Sequence, residues 1–370
     1  MTQQIWQIER GGFVFTEMVQ SFTYSTGRRT QFDSYNPGFL NITISNAALE
    51  ASNFSLGNQI YINALGASGF FQYLYINEIL YNDLGSTGEG STATLVCTDL
   101  LGRLGRTQVF EQALASQGTL AQIVNEFNTL MPYGTSMVNY GNGDSTAAAD
   151  AAYTGTVLNR LNQNMVTEQG WLSVTDNGIY MYSRTRIDDT APAEITFART
   201  TSGAFQYGYS DIKRIELGPN YLNTCTVIPP VVAQQNSENA NGVATYGYYS
   251  AEFATVDNST SQALSFAEWQ VQSRDDPNEL SFQITISDTN NDLTNLFDSI
   301  LRNIALVNVS YKKPGSGTTF TTTQIIQGFT MSVTPVQTIM EFYTSPLTYT
   351  NFFTLNSATF GKLNTSKLGW

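Results

Sequence analysis

Leu40, Ile42 and Ile44 alternate with Asn41, Thr43 and Ser45. A period of two predicts a strand with one face buried and one face wet. Phe13 to Phe15 and Val19 to Tyr24 predict short strands before it. Gly27-Arg28-Arg29 and Asn36-Pro37-Gly38 read as turns. Residues 1–106 therefore read as all-β. Over residues 107–170 the period changes. Thr119 caps a predicted helix carrying Leu120, Ile123, Val124, Phe127 and Leu130, which Pro132 and Gly134 end. A second helix is predicted over Ala147 to Glu168, with Val157, Leu158, Leu161 and Met165 on one side and a weakening Gly155 inside it. Trp171 to Thr175 and Ile179 to Arg184 flank Asp176-Asn177-Gly178. This is a hairpin pattern whose Asn-Gly suits a type I′ turn. Residues 107–186 thus form a small α/β insertion of two helices and a hairpin. Residues 187–265 are polar and poorly periodic, with a loop or flexible arm over Val231 to Val243, and residues 266–370 return to β.

The alternating strand occurs twice. Leu40-Asn41-Ile42-Thr43-Ile44-Ser45-Asn46 recurs as Phe282-Gln283-Ile284-Thr285-Ile286-Ser287-Asp288, at an offset of 242 residues. A proline precedes each copy, Pro37 and Pro277. The segments after each copy also agree in order. Ile60-Tyr61-Ile62 matches Val307-Asn308-Val309, and a Gly/Ser turn matches a Gly/Ser turn (Gly66 to Gly69, Gly315 to Gly317). The strand Phe70 to Ile79 matches Phe320 to Gly328, and Thr94 to Cys97 matches Thr338 to Tyr343. The expectation is one β-domain present twice, at residues 1–106 and 266–370.

Composition narrows the chemistry. The 370 residues suffice for two or three cores. Only 13% of residues are charged, about half the usual ~25%. Thr, Ser, Asn and Gln supply the polarity, as on a subunit covered by neighbours. The net charge of −13 and the lack of a basic run argue against binding nucleic acid through its phosphates. Histidine is absent, which removes the commonest general base and metal ligand and excludes Ser-His-Asp and Cys-His chemistry within one chain. Two cysteines are too few for a histidine-free zinc site. Cys97 and Cys225 lie in separate strand segments and read as unbridged buried residues, in keeping with assembly in a reducing compartment. No signal peptide or transmembrane run is legible.

Three segments resemble phage minor tail proteins. The first is Thr26-Gly27-Arg28-Arg29, then Asp33, Asn36-Pro37-Gly38 and Ile42-Thr43-Ile44-Ser45-Asn46. The second is Gln169-Gly170-Trp171-Leu172 with Asn177-Gly178 and Arg184. The third is the ending, Leu355-Asn356-Ser357-Ala358-Thr359-Phe360-Gly361-Lys362-Leu363-Asn364-Thr365-Ser366-Lys367-Leu368-Gly369-Trp370. Asn46-Ala47-Ala48 departs from the Asp-Gly that often comes after the first strand in that family. The resemblance implies a mainly β protein with two tail-tube-like barrel or sandwich domains, acting as a tail hub of a long-tailed phage. It implies a homotrimer whose six similar domains make a pseudo-hexamer. Such a ring docks on the six-fold tail tube, joins it to distal tip and fibre proteins, and lets DNA pass without specific binding. The place implied is the virion, after assembly in the host cytoplasm.

No catalytic, cofactor or metal residue is expected, and no enzymatic activity. Asp288-Thr289-Asn290-Asn291-Asp292 begins like a calcium loop, but Leu293 stands where glycine is needed and Ser299 where glutamate is needed. Asp188-Asp189 and Asp275-Asp276 read as solvated turns rather than a glycosidase pair. Arg28 and Arg29 pair with a neighbouring subunit's carboxylates or with solvent. The alternative function is a carbohydrate- or receptor-binding β-protein, with Tyr246 to Tyr249 and Trp269 as stacking residues.

Overall fold

A computed structural model of the chain describes residues 5–45, 54–65, 71–82, 91–132, 134–175, 178–184, 195–199, 205–216, 221–274, 280–289, 293, 296, 306–313, 315 and 317–346. The first barrel contains β1 (Ile5–Arg10), β2 (Phe13–Val14), β3 (Val19–Gly27), β4 (Asn36–Ser45), β5 (Gln59–Leu65), β6 (Phe71–Asn82) and β7 (Thr92–Thr98). Leu40, Ile42 and Ile44 are buried, and the residues alternating with them are not. The period-two reading of this strand is borne out.

An α/β unit comes next. It holds α1 (Leu100–Leu104), β8 (Gln108–Leu114), β9 (Gln117–Gly118), α2 (Thr119–Phe127), β10 (Ser136–Tyr140), β11 (Thr146–Ala147), β12 (Asp150–Thr156), α3 (Val157–Glu168), β13 (Trp171–Thr175) and β14 (Gly178–Tyr182). Leu120, Ile123, Phe127, Leu161, Met165, Ile179 and Met181 share its core. The hairpin β13–β14 forms as predicted, and its turn residues Asp176 and Asn177 lie outside the described residues. Two helix expectations change. Gly118, not Thr119, occupies the N-cap of α2. The second helix starts only at Val157. The stretch before it becomes β12, paired with β8 through irregular register. Thr156 then caps α3 by accepting from the Asn159 N–H at 3.1 Å. A partner strand has overridden the helix propensity of an alanine-rich stretch.

The second barrel begins with β15 (Ile195–Ala198) and β16 (Gln206–Glu216), both inside the segment expected to be a polar connector. A further small unit then intervenes: β17 (Thr224–Ile228), β18 (Gln235–Glu238), α4 (Ala240–Tyr246), β19 (Ser250–Ala254) and α5 (Thr260–Gln272). The expected arm over Val231 to Val243 thus contains a strand and the start of a helix. Asn239 caps that helix, accepting from Gly242 N–H at 3.1 Å. The helix α5 seats Ala263, Phe266, Ala267 and Val271 against Cys225 and Val227. The barrel resumes with β20 (Leu280–Ser287), β21 (Leu306–Lys312), β22 (Thr319–Thr334) and β23 (Gln337–Pro346).

The duplication is present strand for strand. In the first barrel β1 pairs β5, β5 pairs β6, β6 pairs β7, β7 pairs β4, and β4 pairs β3. In the second, β15 pairs β21, β21 pairs β22, β22 pairs β23, β23 pairs β20, and β20 pairs β16. Register agrees as well. Ile42 faces Phe22 and Leu95, and Ile284 faces Ile212 and Phe342. Two irregularities recur at matching places. One falls between Val19 and Ser21 and again between Tyr209 and Asp211. The other falls between Ile76 and Glu78 and again between Ile326 and Gly328. Bulges re-aim strands and are retained as designed features, so their recurrence is stronger testimony to duplication than the shared tetrapeptide. The copies differ in closure. β15 also pairs β16 in parallel, closing a six-stranded barrel.

Candidate functional site: the seam between the barrels

The two barrels are one hydrogen-bonded sheet. The 16-residue β22 uses one edge twice: residues 319–325 pair with β21, and residues 328–333 pair with β3 of the first barrel. The handover falls at the bulge. There Gly27 lies opposite Gly328. A Cβ on Gly27 would sit 2.4 Å from the Gln327 carbonyl oxygen, and one on Gly328 would sit 2.6 Å from that of Thr26. Only glycine permits this approach. Beyond it, Tyr24 faces Met331 and Phe22 faces Val333, all buried, so one apolar core runs through both barrels.

The loop after β3 fastens the seam. The Arg28 N–H donates to the Gln327 carbonyl at 3.0 Å, and Nε donates to Gln327 Oε1 at 2.8 Å. Its guanidinium lies 4.4 Å from the Tyr35 ring centre, a cation–π distance. Burial pulls the Arg28 pKa down, opposed by Tyr35 and Asp33. The same loop reaches the other units. The Tyr35 backbone exchanges two hydrogen bonds with the Asn162 side chain of α3, and Tyr35 Oη accepts from the Leu172 N–H. Phe32 packs on Trp269 of α5 and lies under the Arg274 guanidinium at 3.7 Å. Burial pulls Arg274 down to about 10, opposed by Cys225 and Asp33. The Gln31 N–H donates to Ser345 Oγ of β23. One loop thus clasps both barrels and both smaller units. The partners of Arg28 are within its own chain; Arg29 is exposed beside the Tyr343 ring.

A second anchor lies where the first barrel hands over to the α/β unit. Buried Asp99 caps α1, accepting from Gly102 N–H at 3.1 Å, and also accepts from Gly38 N–H at 2.8 Å. Burial raises its pKa to about 7, against the lowering effect of these N–H groups. Asn36-Pro37-Gly38, expected as a turn, instead forms the start of β4 paired with the end of β3, and this contact holds Gly38 there.

The other candidates do not converge. Asp288 is buried at the end of β20, its N–H bound to the Thr338 carbonyl. Asn290, Asn291 and Asp292 lie outside the described residues, as do Asp188, Asp189, Asp275, Asp276, Asn46 to Ala48 and the ending from residue 347. Among the described residues no group of three or more Cys, Asp or Glu is placed to hold a metal. Tyr246 and Tyr249 pack on Tyr221, and both are exposed, as is Tyr248. Trp269 instead packs on Phe32, inside the clasp. Cys97 and Cys225 are buried free thiols, and burial pushes Cys225 up to about 11. Among the described residues no helix is long and apolar enough to cross a membrane.

Solved structures share this fold. A tail protein from Neisseria meningitidis matches with a TM-score of 0.68 at 12% identity, over 94% of this chain and 97% of that one. The fold is that of phage tail proteins. The 43 kDa tail protein of prophage MuSo2 from Shewanella oneidensis matches with a TM-score of 0.56 at 12% identity, over 94% and 100%. An E. coli type VI secretion component, described as similar in structure to the T4 tail proteins gp27 and gp5, matches at 0.53 and 11% identity, over 92% and 77%. No protein-family model and no curated protein sequence matches this chain. Sequence reasoning noted Arg28 and Asn36-Pro37-Gly38 but assigned neither to a site. It missed Phe32, Tyr35, Arg274, Gln327 and Gly328. No local pattern marks residues whose partners are hundreds of positions away.

Proposed function

We propose that this chain is a structural tail-hub protein of a long-tailed phage. Three copies form a ring, and the ring joins a six-fold tail tube to distal tip and fibre proteins around a DNA channel. The observation that carries this reading is the seam: two copies of one barrel, side by side in a single chain and joined edge to edge. A chain of that kind supplies two of six quasi-equivalent positions, so three chains match a six-fold tube. The low charge fraction fits a subunit covered by neighbours. The net charge of −13 fits a channel that DNA traverses without sticking, because like charges repel. Catalysis has no part in this role. The test is mass photometry and image averaging of the purified protein, alone and with its tube protein. Rings of three chains with six-fold outline are expected. A monomer under both conditions would overturn the reading.

A further inference from the structure

The duplicated barrels present the same two edges, and only one of each is used within the chain. The β3 edge is taken by the second half of β22. The element matching β22 in the first barrel is β6. It pairs β5 through Phe71 to Tyr75, Ile76 exchanges the last bonds across that edge with the Asn58 carbonyl and the Gly57 N–H, and from Glu78 onward the edge has no partner among the described residues. The element matching β3 in the second barrel is β16. It pairs β15 only through Gln206 to Gly208, and from Tyr209 onward that edge is likewise unpartnered among the described residues.

We infer that the β6 edge of one copy pairs antiparallel with the β16 edge of the next, repeating between chains the β3–β22 seam within the chain. This rests on the ring reading above and names its contact. The matched bulges set the register. Val19 and Ser21 correspond to Tyr209 and Asp211, and Ile76 and Glu78 correspond to Ile326 and Gly328. The intrachain pairs Thr26–Phe329, Ser25–Thr330, Tyr24–Met331 and Thr23–Ser332 then translate into Glu216–Ile79, Ile215–Leu80, Arg214–Tyr81 and Lys213–Asn82. The register joins two exposed aliphatic residues: Leu80 is 50% exposed and Ile215 is 45% exposed. An open strand edge is a template for pairing, and a directly opposed aliphatic pair within it is how such pairing is stabilised. The intrachain counterparts are Ser25 and Thr330, whose seam relies on Gly27 and Gly328. The matching positions here are Leu217 and Glu78, so the interchain seam lacks the glycine contact and relies on the Leu80–Ile215 pair instead. The contact is head-to-tail, with different surfaces on the two partners, which builds rings when the rotation closes.

The test mixes two single variants of the full chain, Leu80→Cys and Ile215→Cys, under mild oxidation. Opposed residues of an antiparallel pair are within reach of a disulfide. A covalent dimer is expected from the mixture and from neither variant alone. The mixture of Leu80→Cys with Arg214→Cys is the control. Arg214 points to the opposite face, and no dimer is expected. Ile215→Lys, at a surface position that leaves the fold intact, should weaken ring formation at least tenfold. Rings that form without the 80–215 link and ignore Ile215→Lys would overturn this seam while leaving the ring. A chain that stays monomeric and never cross-links would overturn both.

Discussion

The two barrels share pairing order, register and bulges, yet close differently. In the second, the four-residue β15 lies between β21 and β16, parallel to both, and completes the ring of strands. In the first, β1 runs antiparallel to β5, and among the described residues no pairing joins β1 to β3. A groove of about 380 Å³ remains there, lined by Trp6, Ile8, Val19, Phe22 and Val333 among others. Side chains bridge what hydrogen bonds do not. Trp6 stacks edge-on against Phe22 at 5.3 Å and donates from Nε1 to Thr338 Oγ1 at 3.2 Å. The comparison shows that six strands with one buried face specify this barrel whichever way the first strand runs. The edge left over decides what the barrel joins. β3 takes β22 over Phe22 to Gly27, a stretch whose counterpart in β16 lies beyond the three residues that pair with β15.

The largest test of this comparison acts on the seam. Gly328→Val places side-chain atoms against the backbone of Thr26 and Arg28, and the loss should exceed about 4 kcal/mol. Gly315→Val, at a φ of +75° in open space, should cost only about 1–2 kcal/mol. Chemical denaturation of both separates crowding from backbone strain, and equal losses would remove the claim that the seam is set by close approach. Next is the groove. Trp6 is buried, and Trp6→Ala should cost about 3–5 kcal/mol. An effect below about 1 kcal/mol would mean that the first barrel does not need side-chain closure.

Asp99 distinguishes the barrels too, since Pro346 stands at the matching position of the second. Asp99→Ala strands the Gly38 and Gly102 N–H groups, at about 2–4 kcal/mol. The carboxyl titrates near pH 7 when folded, above its ordinary value near 4, so the folded state holds the proton more tightly. Its contribution is complete below about pH 4 and is lost as pH rises through 7. Glu168 and Asp257 are raised by burial as well and act in the same direction. The measurement is therefore a difference: the stability of wild type minus that of Asp99→Asn, followed from pH 4 to 8, should fall. A flat difference would overturn the assignment. The smallest effect is at Arg28, whose head group is partly wet. Arg28→Ala should cost about 1 kcal/mol, read as a small drop in thermal midpoint, and Arg28→Lys should recover less than half of it.

Much of the fold was legible because its information is local. Alternation at Leu40, Ile42 and Ile44 marks a half-buried strand wherever that strand goes. The repeat announced two barrels because both copies must satisfy the same pleat. The hairpin at Trp171 to Arg184 and the core face of α2 were legible for the same reason. β15 and β16 were not read as strands. β15 is four residues long. β16 carries Asp211, Lys213, Arg214 and Glu216, which obscure its period. The stretch before Val157 looked helical and became β12, because β8 lay beside it.

The sequence alone determined the strand-rich class, the duplication, the absence of histidine chemistry and the order of parts, since each depends on residue type and near neighbours. The tertiary structure alone decided which edges join. Pairing of β3 with β22 brings together residues about three hundred positions apart, and nothing local encodes that choice. It arises where two glycines let backbones meet, where a bulge frees an edge, and where an arginine finds a glutamine across the chain. The role of Asp99 was likewise invisible until folding removed it from water, because a carboxylate's pKa belongs to its surroundings and not to its neighbours in sequence.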